Sequence, residues 1–453
     1  MPARNKGQEV AGGSRVFIGT IEIAGNYSAL AEGLRANGHS VSLVFSEAHP
    51  FAYGEAELIP SVSAHFLSLK RLVERLAMLD SLRMVLLAPL LLAEKVAQAM
   101  LHLFWAAKMI QTHDVFIFGF GSSLLRRNID LLILRMMKSK TVISNIGHGS
   151  EARPPVVDGA WLQGDNDFLS ATKLRKLTRE IRRRVRRHER FADVVVGDPM
   201  SSSPFATRKM VSSYVIGRPV LLSKYEEIQP VASFPSKECP KIVHAPSHAP
   251  GKGTAKIESV LDELKSEGFC FTYTRIEGVT NSEVLEILGS ADLVIDQLYS
   301  DRYWSKIGAE AGALGRPTLV GGNGFSILES IVPSDLRPPV FWCDPDDFKQ
   351  RLRDLLGDPD ELLRMGAQAR KFLSETYSST QVAKRWEVLF RPRSVPTDWF
   401  FDPMEIVYVE GTGQSKDKNL RNYQVMVSSF GLKSLGFGHN KPLERAVVNL
   451  FLE

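Results

Sequence analysis

The alternation of segments between Lys241 and Gly322 constrains this chain more than any other feature. KIVHAP (241–246) is a short β-branched run that stops at Pro246, and GKGTAKIESVLDELKSEG (251–268) repeats apolar residues at helical spacing until Gly268. FCFTYTRI (269–276) is rich in aromatic and threonine β-formers, and Thr280 with Glu283 reads as a capping box for the helix SEVLEILGS. ADLVIDQL (291–298) is apolar throughout, the pattern of a strand covered on both faces. After the loop YSDRYWS (299–305), the small-residue helix KIGAEAGALG closes at Gly315 and the strand PTLVGG follows. Strand and helix in alternation predict a parallel sheet wrapped by helices, with a ligand crevice at the carboxyl ends of the strands.

The first half repeats this logic. RVFIGT (15–20), a loop with Gly25, a helix ended by Gly38 and a second strand form another Rossmann-like start. The loop lacks the full glycine fingerprint, and Val44 and Phe45 stand where an acidic residue would hold a dinucleotide ribose, so NAD and FAD are set aside. DVFIFGFGSSL (114–124) is the next strand and glycine turn, and KTVISNIGHGSEARPP (140–155) is a strand running into a loop with His148, Glu151 and Arg153. A histidine between Gly147 and Gly149 at a strand end is a candidate substrate contact, against the alternative of a structural imidazole.

With 453 residues the chain has room for two full domains. A composition of 44% hydrophobic and 24% charged residues is that of a soluble globular protein, and no run reaches the ~18 consecutive apolar residues of a bilayer span. MVLLAPLLLA (84–93), broken by Pro89, reads as buried core or as an interfacial patch. Residues 1–14 are polar and read as a disordered lead-in, without the apolar core of a secretory signal. Cys239, Cys270 and Cys343 are scattered and have no metal-ligand spacing, which predicts reduced, structural thiols and a cytoplasmic location.

The net charge of +5 has a concentrated source. Residues 173–190 hold ten Lys or Arg against Glu180 and Glu189, whereas the rest of the chain carries 46 basic and 49 acidic residues. Leu174, Leu177, Ile181 and Val185 make one apolar stripe on an otherwise basic helix. Its readings are a solvated face, contact with an anionic membrane surface such as the inner membrane face, or contact with a polyanion. No aromatic interrupts residues 173–190, which counts against nucleic acid.

HAPSHAPGKGT, ADLVIDQLYSDRYWSKIGAEAGALGRPTLVGG and DPDELLRMGAQARKFLSETYSSTQVAKRW, with DVFIFGFGSSL and GHGSEARP, resemble the GT-B glycosyltransferases of the large group 1 family. The resemblance covers residues 15–391 and implies an α/β fold of two facing Rossmann-like domains. It divides the chain into the lead-in 1–14, an acceptor domain 15–220, a nucleotide-sugar donor domain 221–391 whose last helix crosses back, and a linker with C-terminal extension at 392–453. It implies transfer of a sugar from a UDP- or GDP-type nucleotide sugar, with no cofactor, to a glycan or lipid-linked acceptor in bacterial surface polysaccharide or glycoconjugate synthesis. Retention of configuration is the preferred route. A catalytically degenerate binding protein and a sugar-nucleotide 2-epimerase are the alternatives. Metal is not expected, because no aspartate-any-aspartate triplet or His/Cys cluster stands where a diphosphate would need one.

The motifs carry chemistry of their own. A departing diphosphate needs a cation and N–H donors, and Lys252 between Gly251 and Gly253, preceded by Ser247 and His248, reads as that cation at a helix start. By resemblance Glu310 holds the ribose hydroxyls, a role its two acceptor oxygens suit, and Gly278 and Val279 seat the base. Tyr303 and Ile307 are counted among the donor contacts. Eight positions before Glu310, where retaining members carry a second glutamate, stands Arg302, which is expected to supply positive charge. Asp301 beside it joins His148 and Glu151 as catalytic candidates, the last two as base if the reaction inverts. Gly25, Asn26 and Tyr27 form the first-domain loop that faces the donor phosphates in the family. In the extension, MEIVYVEG reads as a strand, GQSKDKN as a turn and KPLERAVVNLFLE as a helix. Oligomeric state is not legible.

Overall fold

The computed structural model describes residues 13–22, 24–46, 56–62, 80–147, 151–161, 169–226 and 239–451, with side chains in the first long helix from residue 87 onward. In the first lobe β1 (Arg15–Thr20), β2 (Ser40–Phe45), β3 (Glu57–Leu58), β4 (Val115–Gly119), β5 (Thr141–Asn145), β6 (Val194–Gly197) and β7 (Met210–Ser212) form a parallel sheet in the order β7-β6-β5-β4-β1-β2-β3. In the second lobe β8 (Lys241–His244), β9 (Thr272–Arg275), β10 (Leu293–Ser300), β11 (Thr318–Gly322) and β12 (Phe341–Cys343) form another, in the order β12-β11-β10-β8-β9. β13 (Phe400–Phe401) returns to the first sheet and pairs antiparallel with β7. Two parallel α/β lobes are therefore present, as the alternating pattern predicts.

In each sheet the connection reverses beside the first strand. β1 lies between β2 and β4, and β8 lies between β9 and β10. Chains that leave in opposite directions open a crevice there. The local signals that build the second lobe are in place. Thr280 and Glu283 cap the Asn281–Gly289 helix reciprocally, with Thr280 N–H donating to Glu283 Oε2 at 2.8 Å. One boundary differs: Gly253, at φ 72°, separates a short turn, Ala249–Lys252, from the helix Thr254–Ser266. Only glycine fits there, since a Cβ would meet Leu298 Cβ at 2.8 Å.

The lobes are tied at the hinge. Val220 N–H donates to the Tyr377 carbonyl and Ser379 N–H to the Val220 carbonyl, both at 2.9 Å. The Ser379–Leu389 helix then crosses to the first lobe and packs on Asn26–Ala36, where Asn37 Nδ2 donates to Glu387 Oε1 at 2.6 Å.

On the opposite face of the first sheet, Phe17, Phe116 and Phe118 share one apolar core with Trp105, Met109, Leu131, Leu134, Ile181 and Val185. The helices Asp80–Thr112, Asp130–Met136 and Ala171–Phe191 thus lie side by side on this face. The first of them corrects the reading of residues 84–93. It runs unbroken through Pro89, and its stretch Leu87–Thr112 is long and apolar enough to cross a membrane by length and composition. Glu94, Lys95 and Gln98 interrupt the apolar run without lowering its average enough to matter, so a count of consecutive residues misses it.

Two further expectations change. Cys239 and Cys270 are joined in a disulfide, and only Cys343 is a free, buried thiol. The extension contains no strand at MEIVYVEG; that segment is irregular, and Ser415 caps the helix Lys416–Phe430 where a turn was expected. Helix Lys441–Asn449 follows, and Tyr423, Met426, Leu443 and Val447 join the core beside Ala171–Phe191.

Candidate functional site

The two switch points face one groove. On the second-lobe side a cavity of about 360 Å³ is lined by Ser247, Lys252, Gly278, Val279, Ile307 and Glu310, among others. These six come from three separate stretches of the sequence, and β8, β9 and the Lys306–Ala313 helix bring them together. An adjoining cavity of about 280 Å³ reaches the first lobe and shares Ser247, Lys252, Ser305 and Lys306 with it; Asn26, Arg153, Arg218, Asp301, Arg302 and Thr412 are also on its wall.

Glu310 is 3% exposed, accepts from Asn281 Nδ2 at 3.3 Å, and has Lys306 Nζ at 3.6 Å. Burial raises its pKa, against the opposing pull of Lys306. Burial also lowers the pKa of Lys306, with Arg218 adding to the fall and Glu310 opposing it. Lys252 closes the 249–252 turn, so the helix-start argument does not hold for it. Its ammonium donates to Asp296 Oδ1 at 3.1 Å and to Gln297 Oε1 at 2.7 Å. Asp296 is fully buried and also accepts from Ser305 N–H at 2.6 Å, so it is a fixed anchor that aims Lys252 at the groove.

Arg218 is the residue that sequence reasoning missed. It follows Gly217 at the hinge, lines the groove, and has no hydrogen bond or ion pair among the described residues. Burial pushes its pKa down to about 10, with repulsion from Arg302 adding to the effect. Gly-Arg-Pro at 217–219 was the available signal, a stiff bend beside a cation, but nothing local says which way that cation points.

Other expected site residues are placed differently. Asp301 is 1% exposed and engaged: Arg153 Nε donates to its Oδ2 at 3.0 Å and Arg302 Nε to its Oδ1 at 3.4 Å. Burial alone would raise the Asp301 pKa, but Arg153 and Arg302 outweigh it and hold the carboxyl below its usual range. It is the counter-ion of two arginines and not an available base. Tyr303 is a core side chain, edge-on to Tyr214, Phe325 and Trp342 at 5.5–6.2 Å between ring centres. His248 caps the 249–252 turn, its Nδ1 accepting from Gly251 N–H at 3.1 Å. Glu151 is buried beside Tyr27, and its carbonyl accepts from Arg184 at 2.9 Å. His148 lies outside the described residues.

In the first-domain loop Asn26 lines the cavity that holds Arg153 and Arg302, Gly25 lines a neighbouring interlobe cavity with Lys306 and Glu310, and Tyr27 lines a third with Arg218 and Arg302. Tyr27 is 2% exposed and packs edge-on to Phe120. The N–H groups of Tyr27 and Ser28 are spent on Glu22, which accepts from them at 3.2 and 2.8 Å. This helix start is therefore capped by its own carboxylate, which leaves those two donors unavailable to an incoming anion.

No protein-family model matches the chain, and no curated protein matches it. Among solved structures it is similar to the catalytic domain of starch synthase IV from Arabidopsis thaliana bound to ADP and acarbose, at 12% identity and a TM-score of 0.48, covering 85% of this chain and 100% of that one. It is also similar to an alpha-glucosyltransferase in complex with UDP and a 13-mer DNA, at 14% identity and a TM-score of 0.46, covering 83% and 100%. Anabaena Alr3699/HepE in complex with UDP-glucose is a third, at 11% identity and a TM-score of 0.45, covering 83% and 98%. These are neighbours in shape. The chemistry has to come from the groove itself.

Proposed function

We infer that this protein is a nucleotide-sugar-dependent glycosyltransferase that binds its donor in the interlobe groove. The observation that carries the reading is Arg218, a cation without an ionic partner among the described residues, turned into a cavity that also holds Lys252, Arg302 and Lys306. Arg218 is half-buried and crowded by Arg302, with the weaker pull of Asp296 to oppose that, and a bound diphosphate is the partner that would offset the cost. The cavity next to it offers an acidic acceptor, Glu310, and an apolar shelf at Ile276, Val279 and Val284. A carboxylate suits a vicinal diol and the shelf suits a base, so a UDP- or GDP-type donor fits the order of groups along the groove.

The transfer builds negative charge on the departing diphosphate, and cations already fixed around it stabilise that charge without reorganising. Arg153 holds Asp301, and Glu151 sits beside Tyr27, so neither carboxylate is presented to an acceptor as base. Among the described residues this favours a retaining route in which the leaving diphosphate takes the acceptor proton. Incubation with a panel of UDP- and GDP-sugars, followed by assay for donor hydrolysis or transfer, tests the proposal. Donor turnover supports it; binding without turnover favours a degenerate binding protein, and epimerised product favours an epimerase.

A lipid-linked acceptor at an anionic membrane is the second part of the reading. Leu92, Met100 and Phe104 on the long helix are 64%, 67% and 74% exposed, and Ile133 and Met136 on the next helix are exposed too. Arg179, Arg183, Arg187 and Arg190 line a groove on the third helix of the same sheet face. Apolar side chains bordered by arginines match the boundary between acyl chains and acidic headgroups. Such a surface would hold the enzyme at the cytoplasmic face of a bacterial inner membrane, where surface polysaccharides are built.

A further inference from the structure

Residues 405–415 have little regular structure, yet they are bonded to both lobes. Thr412 N–H donates to the Val157 carbonyl at 3.0 Å, and Gly159 N–H donates to the Thr412 carbonyl at 2.9 Å; both partners belong to the first lobe. Thr412 Oγ1 and Gly413 N–H each donate to the Tyr299 carbonyl at 2.8 Å, in the second lobe. Tyr408 Oη donates to the Asn323 carbonyl at 3.3 Å, again in the second lobe, and Gln414 Nε2 to the Val156 carbonyl at 2.9 Å in the first. The crossing leaves no spare room. A Cβ on Gly159 would stand 1.9 Å from the Gly413 carbonyl oxygen, and one on Gly413 would stand 3.1 Å from Gly159 Cα. Thr412 itself lines the groove with Arg153, Arg218, Lys252 and Arg302.

We propose that residues 405–415 are a strap that sets the width of the cationic groove, with Thr412 as its positioning residue. Its backbone grips the loop that carries Arg153, and its hydroxyl grips the loop that carries Arg302. Two α/β lobes joined by a hinge move against each other by default. An anion that needs both lobes then binds more weakly, by the fraction of molecules in which the cations converge. The strap removes that penalty in advance by keeping the first-lobe Arg153 and hinge Arg218 at a fixed distance from Lys252. The strap is thus part of the binding site although it lies outside both sheets. This rests on the reading of the groove as a nucleoside diphosphate site.

The test uses the full chain with Thr412→Val, which removes the hydroxyl and keeps the shape, and Thr412→Ser, which restores it. UDP and GDP are the probes, titrated by calorimetry. Thr412→Val is expected to weaken the better probe at least about fivefold, and Thr412→Ser to stay within about twofold of the parent. The unfolding midpoint of Thr412→Val is expected to shift by less than about 3 °C, which separates positioning from general destabilisation. Parent-like affinity in Thr412→Val would overturn the proposal. If the parent binds neither probe, the nucleotide reading fails on its own. The strap is then judged without ligand, by small-angle scattering of Gly159→Ala: an increased radius of gyration with faster amide exchange at Gly413 supports it, and unchanged values overturn it.

Discussion

Arg153 and Asp301 meet across the interlobe groove, the guanidinium from the first lobe and the carboxylate from the second, with both side chains shut off from solvent. Asp158 and Arg302 flank the pair, at 3.7 Å from Arg153 and 3.4 Å from Asp301. An ion pair in this position joins lobes, and removing one partner leaves a buried charge uncompensated.

Arg153→Met is therefore expected to cost about 3 kcal/mol of stability, within the range for breaking a buried pair. A double-mutant cycle with Asp301→Asn, read by denaturant unfolding, should return a coupling of about 2 kcal/mol. Additive effects would show that the contact contributes nothing of its own.

Glu310→Gln separates ribose from phosphate. Affinity for UDP or GDP should fall at least about tenfold, the loss expected when charged acceptors are removed from a hydrogen-bonded diol. Affinity for inorganic diphosphate, measured the same way, should be unchanged. Equal losses for both would mean that Glu310 acts on the cations and not on a sugar.

Stability should fall on mild acidification. Burial lowers the pKa values of His188 and His244 to about 4 each. Both titrate near 6.5 when unfolded, so the unfolded chain takes up protons that the folded one refuses. Their contribution is complete above about pH 6.5 and is lost as pH falls toward 4, by about 2 kcal/mol per histidine at pH 5. Urea unfolding at pH 7.5 and pH 5 measures it, and a His188→Gln variant should remove roughly half of the part due to these two histidines.

Met100→Glu with Phe104→Glu places charge on the exposed face of the long helix. Flotation with phosphatidylglycerol vesicles should fall to the level seen with phosphatidylcholine alone, and high salt should weaken the parent's binding through the arginines. Unaltered flotation of the variant would remove this face from the membrane reading.

Much of the second lobe was legible because its signals are local. A capping box such as Thr280 with Glu283 needs only four residues, and Ser247, Lys252, Gly278, Val279, Ile307 and Glu310 all lie just beyond strand ends or in the helix that follows, so topology alone collects them. What escaped depends on distant partners. Arg218 is an ordinary hinge cation until the fold turns it inward. Tyr303 adjoins the groove in sequence but is drawn into an aromatic core by Phe325 and Trp342. Lys252 lost its helix start to the left-handed Gly253. Residues 405–415 carry no periodicity because they are held by single bonds to two lobes and not by a repeating face.

The most direct measurement is a calorimetric titration of UDP, GDP and inorganic diphosphate into the parent protein and into Arg218→Ala. One nucleoside diphosphate is expected to bind the parent, and Arg218→Ala to lose at least about tenfold in affinity for it and for inorganic diphosphate. The unfolding midpoint of Arg218→Ala is expected to hold or rise, because a half-buried charge repelled by Arg302 has been removed. Equal affinity in both proteins, or a variant that binds normally and unfolds earlier, would contradict the claim that Arg218 awaits a diphosphate.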